Sequence, residues 1–200
     1  MIDGATGVIN AGGRGLRLGG VRKALLEDAH GNTLLERTLG KMRERFSAVL
    51  LVANEREPYE CFGIGIVSDL IADRGAPGGL HAALTAAKTP WIFFAACDMP
   101  ALDPRVIDAL AARRSGMQCV LALVDGRAEP LHAFWSRAAL PALESLLRSG
   151  EPSFRDLADA IPTARVPIAD LEREIPGATN SFANVNTPED LERFGLRLPR

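Results

Sequence analysis

The sequence predicts an α/β fold: one Rossmann-like domain over residues 1–200, built on a mostly parallel sheet with helices on both faces. Continuous apolar runs, Ala48–Val52 and Trp91–Ala96, have the length and character of strands buried on both sides. Such runs alternate with helical segments that open at capping signals, the order that a parallel sheet with crossover helices requires. The chain has 200 residues, 47% of them hydrophobic and 24% charged, which suffices for one sizeable core.

The first strand covers Thr6 to Asn10 and runs into a glycine-rich segment. A capping box, Thr33-Leu34-Leu35-Glu36, opens the first helix, with Leu35, Leu39, Met42 and Phe46 on one face. Ala48–Val52 is a central strand and Ile64–Val67 a shorter third one. The segment Asp69–Leu80 ends in a Gly/Pro turn, after which an alanine-rich helix covers His81–Lys88. Trp91–Ala96 is the most hydrophobic strand. Asp103 and Pro104 give the next helix an N-cap and a first-turn proline. Cys119–Val124 and Leu131–Trp135, on either side of a turn at Asp125-Gly126, form a hairpin-like pair. Ser136 caps a helix that runs to the neighbourhood of Arg148. A short helix near Phe154–Ala160, a strand near Ala164–Pro167 and a last helix capped by Thr187 follow.

Composition excludes several classes. Formal net charge is −2, so no overall basic field speaks for a nucleic-acid partner. Cys61, Cys97 and Cys119 are widely spaced and contain no C-x-x-C pair, which suggests neither disulfides nor a zinc site. No apolar run approaches the roughly 20 residues that span a bilayer, and no signal-peptide core opens the chain. A cytoplasmic protein that does not engage membranes is expected.

Five glycines fall between Gly12 and Gly20, a density that would destabilise a helix interior. With Arg14, Arg17, Arg22 and Lys23 they make either a phosphate cradle or a flexible loop of solvated charges. The dinucleotide fingerprint fails here because its sixth position is Leu18, and the P-loop fails because Lys23 precedes Ala24. Open α/β sheets bind ligands at the carboxyl ends of their strands. That rule selects the glycine loop, the segments after Val52 and Val67, Asp98, and the Asn184/Asn186 pair. Asp98 directly follows an apolar strand, where a buried carboxylate needs a partner. A divalent cation shared with substrate phosphates would supply one, and an N-cap or turn role before Pro100 is the alternative. Lys23 as a point charge and Arg17 as a bidentate fork both suit phosphates. Asn184 and Asn186 read either as ligand-facing amides or as turn residues before a capped helix. His132 is expected to pack in its strand rather than to catalyse, and His30 and His81 suggest no partner.

These stretches resemble one family. Ala11-Gly12-Gly13, Arg17-Leu18-Gly19-Gly20 and Lys23 match the nucleotide loop of nucleotidyltransferases. Cys97-Asp98-Met99-Pro100 matches a C-D-x-P motif, and Asn184-Val185-Asn186-Thr187-Pro188 a closing N-[VI]-N-T-P motif. From Gly7 to Leu191 the chain is most similar to the molybdenum cofactor guanylyltransferases. Three features depart from that pattern: Asn10 for a usual leucine, Arg22 for a usual acidic residue, and Gly75-Ala76-Pro77-Gly78-Gly79-Leu80 for G-P-x-x-G.

The resemblance implies transfer of GMP from GTP to the terminal phosphate of molybdopterin, with pyrophosphate released. It implies Mg²⁺ as cofactor, with Asp98 as the metal ligand and Lys23, Arg17 and Asp98 as the catalytic set. Ala11, Gly12, Gly13, Arg17, Lys23, Asn54, Asp73 and Asp98 would bind the nucleotide. Asp73 would read guanine, whose N1–H and N2–H₂ donors one carboxylate can accept together, and Asp69 competes with it for that role. Asn184, Asn186, Glu129 and Pro130 would bind the acceptor. The domain would thus divide by function into a nucleotide-binding half, 1–98, and an acceptor-binding half, 99–200. GTP and molybdopterin are the implied substrates, and molybdoenzyme maturation proteins are admitted as partners. A cytidylyltransferase for the same pterin, another small-molecule phosphate nucleotidyltransferase, and a nucleotide-binding module without catalysis are the alternatives.

Overall fold

An eight-stranded sheet runs through the computed structural model, which describes residues 1–12, 20–150 and 153–199. β1 (Ala5–Asn10), β2 (Val49–Val52), β3 (Gly65–Val67) and β4 (Trp91–Ala96) are parallel, in the order β3-β2-β1-β4. β5 (Cys119–Val124), β6 (Arg127–Ala128) and β7 (His132–Ser136) extend the sheet beyond β4, with β7 antiparallel to both β4 and β5. β6 pairs with the far end of β5, and β8 (Thr163–Pro167) lies parallel to β5. Asp125 and Gly126 have φ of +49° and +74°, as a tight two-residue hairpin turn requires. The tight arm of the expected hairpin is therefore β6, and β7 folds back farther along.

Side chains alternate across the strands, so each face of the sheet gathers its own core. Ile9, Phe93, Val120 and Phe134 pack on one side with Leu35 and Leu39 of α1 (Leu34–Arg43), Val106 of α3 (Pro104–Ala111) and Leu171 of α6 (Ile168–Glu174). Val8, Phe94, Cys119 and Trp135 pack on the other with Leu80 of α2 (Gly75–Ala86), Leu143 of α4 (Leu140–Ser149) and Leu157 of α5 (Phe154–Ala160). Phe93 and Phe94 are both fully buried, each worth about 1.5–3 kcal/mol of burial. A third, smaller cluster joins Leu26, Leu34, Val185 and Leu196 beside the last helix, α7 (Pro188–Phe194).

Two elements differ from expectation. α2 begins at Gly75, so the Gly/Pro stretch is the opening of the helix and not a turn before it; the helix also stops at Ala86. Pro77 sits in the first turn, where its missing N–H costs nothing. A Cβ on Gly79 would lie 3.2 Å from Val52 Cγ1 and 3.4 Å from Asn10 Oδ1, so this glycine lets the helix close on the ends of β1 and β2. α6 has no sequence signal, because Pro167 precedes it without a side-chain cap and only Leu171 is buried.

Candidate active site

The chain steps from β1 outward to β2 and β3, then returns to place β4 on the other side of β1. The carboxyl ends of β1 and β4 therefore flank a topological switch point, where open α/β sheets form their ligand crevice. Backbone bonds tie the end of β1 to both neighbours: Cys97 N–H, after β4, donates to Asn10 O at 3.0 Å, and Ala11 N–H donates to Val52 O of β2 at 3.0 Å. Asn10, the residue that replaces leucine, is buried, and its Oδ1 accepts from Gly12 N–H at 3.2 Å. The N–H groups of Ala11 and Gly12 are thus already bonded within the protein, so these residues shape the loop entry rather than offer free donors.

Three expected residues meet beyond β4. Lys23 Nζ donates to Asp98 Oδ2 at 2.7 Å and to Asn186 Oδ1 at 2.7 Å. Lys23 lies in a 3-10 turn (Lys23–Leu25) after the glycine loop, Asp98 follows β4, and Asn186 precedes α7. The side chains of Lys23 and Asp98 are only 16% and 20% exposed. The partner that Asp98 needs is therefore Lys23 in this structure. The second expected asparagine, Asn184, does not join them; its Nδ2 donates to Phe182 O at 3.4 Å. Arg17, Gly13 and Arg14 lie outside the described residues.

Beside this junction is a cleft of about 390 Å³, lined by Ala11, Gly12, Gly20, Arg22, Ala53, Asn54, Glu55 and Tyr59, which is large enough for a small-molecule ligand. Asn54 and Asp69 lock together: Asn54 Nδ2 donates to Asp69 Oδ2 at 2.9 Å, and Asp69 N–H to Asn54 Oδ1 at 2.8 Å. Asp73 is exposed in a left-handed turn with φ of +57°. The structure thus brings Asp69, not Asp73, to Asn54. Pairing across two loops sets this, and spacing along the chain carries no trace of it. Arg22 was expected among the cations of the glycine-rich segment, whereas nothing in the sequence pointed to Glu55 and Tyr59 as lining this cleft. Arg22 pairs with Glu55 across it, and burial pushes the Tyr59 hydroxyl up to about 12, so that it stays neutral.

Several groups are removed from the chemistry. Burial, reinforced by the Asp98 charge, pushes the Cys97 thiol up to about 12, which leaves it inert as a nucleophile. His132 is buried between Phe93 and Phe182, and burial pushes it down to about 3, so it packs as a neutral ring. His81 approaches Glu144 at 3.7 Å on the far face. Glu129 is half-buried and its carboxyl is raised by burial, whereas Pro130 serves the scaffold through its carbonyl, which accepts from Trp135 Nε1 at 3.2 Å.

A metal fits under one condition. Among the described residues no three His, Cys, Asp and Glu side chains are gathered for an ion. Mg²⁺, however, is commonly held by one or two carboxylates plus substrate phosphates. Asp98, a single carboxylate at the end of β4, fits a divalent ion that arrives with a triphosphate.

The MobA-like NTP transferase domain model matches residues 7–164. The chain belongs to the MobA-like NTP transferase family. It is 32% identical over 191 residues to the molybdenum cofactor guanylyltransferase of Vibrio atlanticus, covering 94% of each chain. It is 34% identical over 189 residues to a probable molybdenum cofactor guanylyltransferase of Pelotomaculum thermopropionicum, covering 94% of this chain and 90% of that one. Among solved structures, molybdopterin-guanine dinucleotide biosynthesis protein A from Archaeoglobus fulgidus superposes with a TM-score of 0.81 at 26% identity, over 95% and 96% of the two chains. A 2-C-methyl-D-erythritol 4-phosphate cytidylyltransferase from Thermus thermophilus shares the fold, with a TM-score of 0.67 at 20% identity over 94% and 96%. The chain is a nucleotidyltransferase on a mostly parallel, Rossmann-like sheet. Among the described residues no helix is long and apolar enough to cross a membrane.

Proposed function

We propose that this nucleotidyltransferase transfers the GMP of GTP to the terminal phosphate of molybdopterin and releases pyrophosphate. The observation that carries the proposal is the Lys23–Asp98–Asn186 junction at the switch point, next to a cleft of nucleotide size. The names of the relatives supply the substrates.

In such a transfer an acceptor phosphate oxygen forms a bond to the α-phosphorus in line with the bond to pyrophosphate, which breaks and takes the electron pair. The acceptor is already ionised, so no general base is required, and positioning with charge neutralisation does most of the work. Lys23 has a third N–H to give to a phosphate oxygen once two are engaged. Arg17 would add a bidentate fork and Gly13 its backbone to the same phosphates. When bound, Mg²⁺ would supply further neutralisation of phosphate charge, held by Asp98. Asn54 would orient Asp69, with Asp73 as the competing carboxylate, toward the donor edge of guanine. Glu129 and Asn184 would face the pterin side, and Ala11 and Gly12 the nucleotide. A cytoplasmic location and maturation proteins of molybdoenzymes as partners belong to the same proposal.

Incubating the enzyme with molybdopterin, Mg²⁺ and each of GTP, CTP, ATP and UTP tests it. Pyrophosphate and a dinucleotide of the pterin should form with GTP and the acceptor together. Preference for CTP would make the enzyme a cytidylyltransferase, and binding without transfer would make it a nucleotide-binding module.

A further inference from the structure

We infer that Asn186 is a positioning residue that holds Lys23, rather than a group that grips the acceptor; this rests on the triphosphate-binding part of the proposed function. The acceptor role implied by the family motif requires the Asn186 amide to face a ligand. In the structure its oxygen is taken by Lys23 Nζ at 2.7 Å. Lysine is a point charge on a flexible four-carbon stem, so a cation meant for one phosphate needs its ammonium fixed from outside. Asp98 fixes one proton and Asn186 a second.

The asparagine is itself held. Its backbone N–H and that of Thr187 donate to Asp190 Oδ2 at 2.8 and 2.9 Å, within the capping box of α7. One residue back, Val185 is fully buried with Leu26, Leu34 and Leu196, and its N–H donates to Asp98 O at 2.9 Å. The chain end closes the frame: Glu27 N–H donates to Arg197 O at 3.0 Å, and Arg197 N–H to Glu27 O at 2.8 Å. The segment that carries Lys23 is thus packed and hydrogen-bonded against the last helix and the tail after it. A neutral amide is also the suitable chemistry. Asp98 already balances the lysine, so a second carboxylate would leave the junction negative and repel phosphates.

The test uses inorganic tripolyphosphate, which has neither base nor pterin, with Mg²⁺ in titration calorimetry. The variants are Asn186→Ala, Lys23→Ala and the pair combined. Asn186→Ala should weaken tripolyphosphate about tenfold, the order expected for one lost hydrogen bond to a charged group. Lys23→Ala should weaken it more. The double variant should bind no more weakly than Lys23→Ala, because the amide acts through the lysine. In turnover, Asn186→Ala should raise the KM for GTP and leave the KM for molybdopterin within about twofold of the parent. Asn186→Asp, which keeps an oxygen for Lys23, should bind tripolyphosphate more weakly than Asn186→Ala while melting at the parent temperature. An Asn186→Ala effect that persists undiminished in the Lys23→Ala background, or that falls on the KM for molybdopterin, overturns the positioning role alone. A parent protein that binds neither tripolyphosphate nor GTP overturns the proposed function and this inference with it.

Discussion

Arg22 and Lys23 are neighbours in the chain, and each pairs with a carboxylate that follows a parallel strand, yet they sit in different physical worlds. The Lys23–Asp98 pair is 16% and 20% exposed, whereas the Arg22–Glu55 pair is 48% and 71% exposed. An exposed pair is screened by water and salt and gains little from its contact. A covered pair cannot lose one partner without leaving the other charge poorly solvated. Covering therefore fixes the Lys23–Asp98 end of the crevice, and exposure leaves the opposite corner, where Arg22 meets Glu55 beside the Asn54–Asp69 pair, open to solvent.

Asp98→Asn attacks the covered end and should have the largest effect. The amide can still accept from Lys23, so the fold should persist, but it cannot hold a divalent ion against phosphates. Turnover should fall by about 10³-fold or more, roughly 4 kcal/mol of barrier. Activity within about tenfold of the parent at saturating Mg²⁺ would remove the metal role and with it the functional half of the contrast.

The open corner is tested by the base. Inosine triphosphate lacks the 2-amino group, and one hydrogen bond to a charged group is worth roughly 1.5–3 kcal/mol, so it should bind about 10- to 150-fold more weakly than GTP. Asp69→Ala should shrink that gap and Asp73→Ala should leave it, since Asp69 is the carboxylate joined to Asn54. A gap that closes with Asp73→Ala instead would return the reader to the exposed turn. Equal affinity of the parent for both nucleotides would end the guanine assignment.

A third comparison concerns stability alone. Lys23→Ala strands the Asp98 carboxylate at a fifth of its full exposure, and urea unfolding should show a loss of about 1–2 kcal/mol, less than for a fully buried pair because water still reaches the site. Lys23→Ala with Asp98→Ala should lose less than the two single effects added together. Strict additivity would mean that the pair is not coupled and that its burial fixes nothing.

What could be read in advance divides along the same line. β4, α3, α5 and the capping boxes of α1 and α7 announce themselves through contiguous apolar runs and local hydrogen-bonding residues. Local signals decide such elements. That Asp98 and Lys23 each need a charged partner was legible, because an apolar strand ends in a carboxylate and a basic residue follows a glycine-rich segment; that they pair with each other was not, since the contact joins residues 75 apart. The link between Asn54 and Asp69 was not legible either, since it depends on how the ends of β2 and β3 lie side by side. The start of α2 was misread for a related reason. Glycine and proline favour turns in an isolated chain, but here Gly79 is selected by the close approach of Val52 and Asn10 from two other strands. α6 escaped because seven residues with one buried leucine contain too little periodicity to register.

The smallest effect belongs to Arg22, and it is the sharpest test of the contrast. Its guanidinium is raised mainly by the hydrogen bond to Glu55, so it is charged at every working pH and only its position can vary. Arg22→Ala and Glu55→Ala should each leave the urea midpoint at the parent value, at low and at high salt, because water replaces the lost partner. GTP should reveal the residue where stability does not. Freed from Glu55, the arginine would add one more cation near the triphosphate, so Arg22→Ala should weaken GTP modestly at low salt and by a vanishing amount at high salt. Glu55→Ala should tighten GTP under the same low-salt conditions, because it removes a carboxylate from the cleft and releases the arginine. A lowered midpoint for either variant would show that this pair is as much a part of the frame as Lys23 and Asp98. Two neighbouring cations would then share one role, and exposure would no longer separate the fixed end of the crevice from the open one.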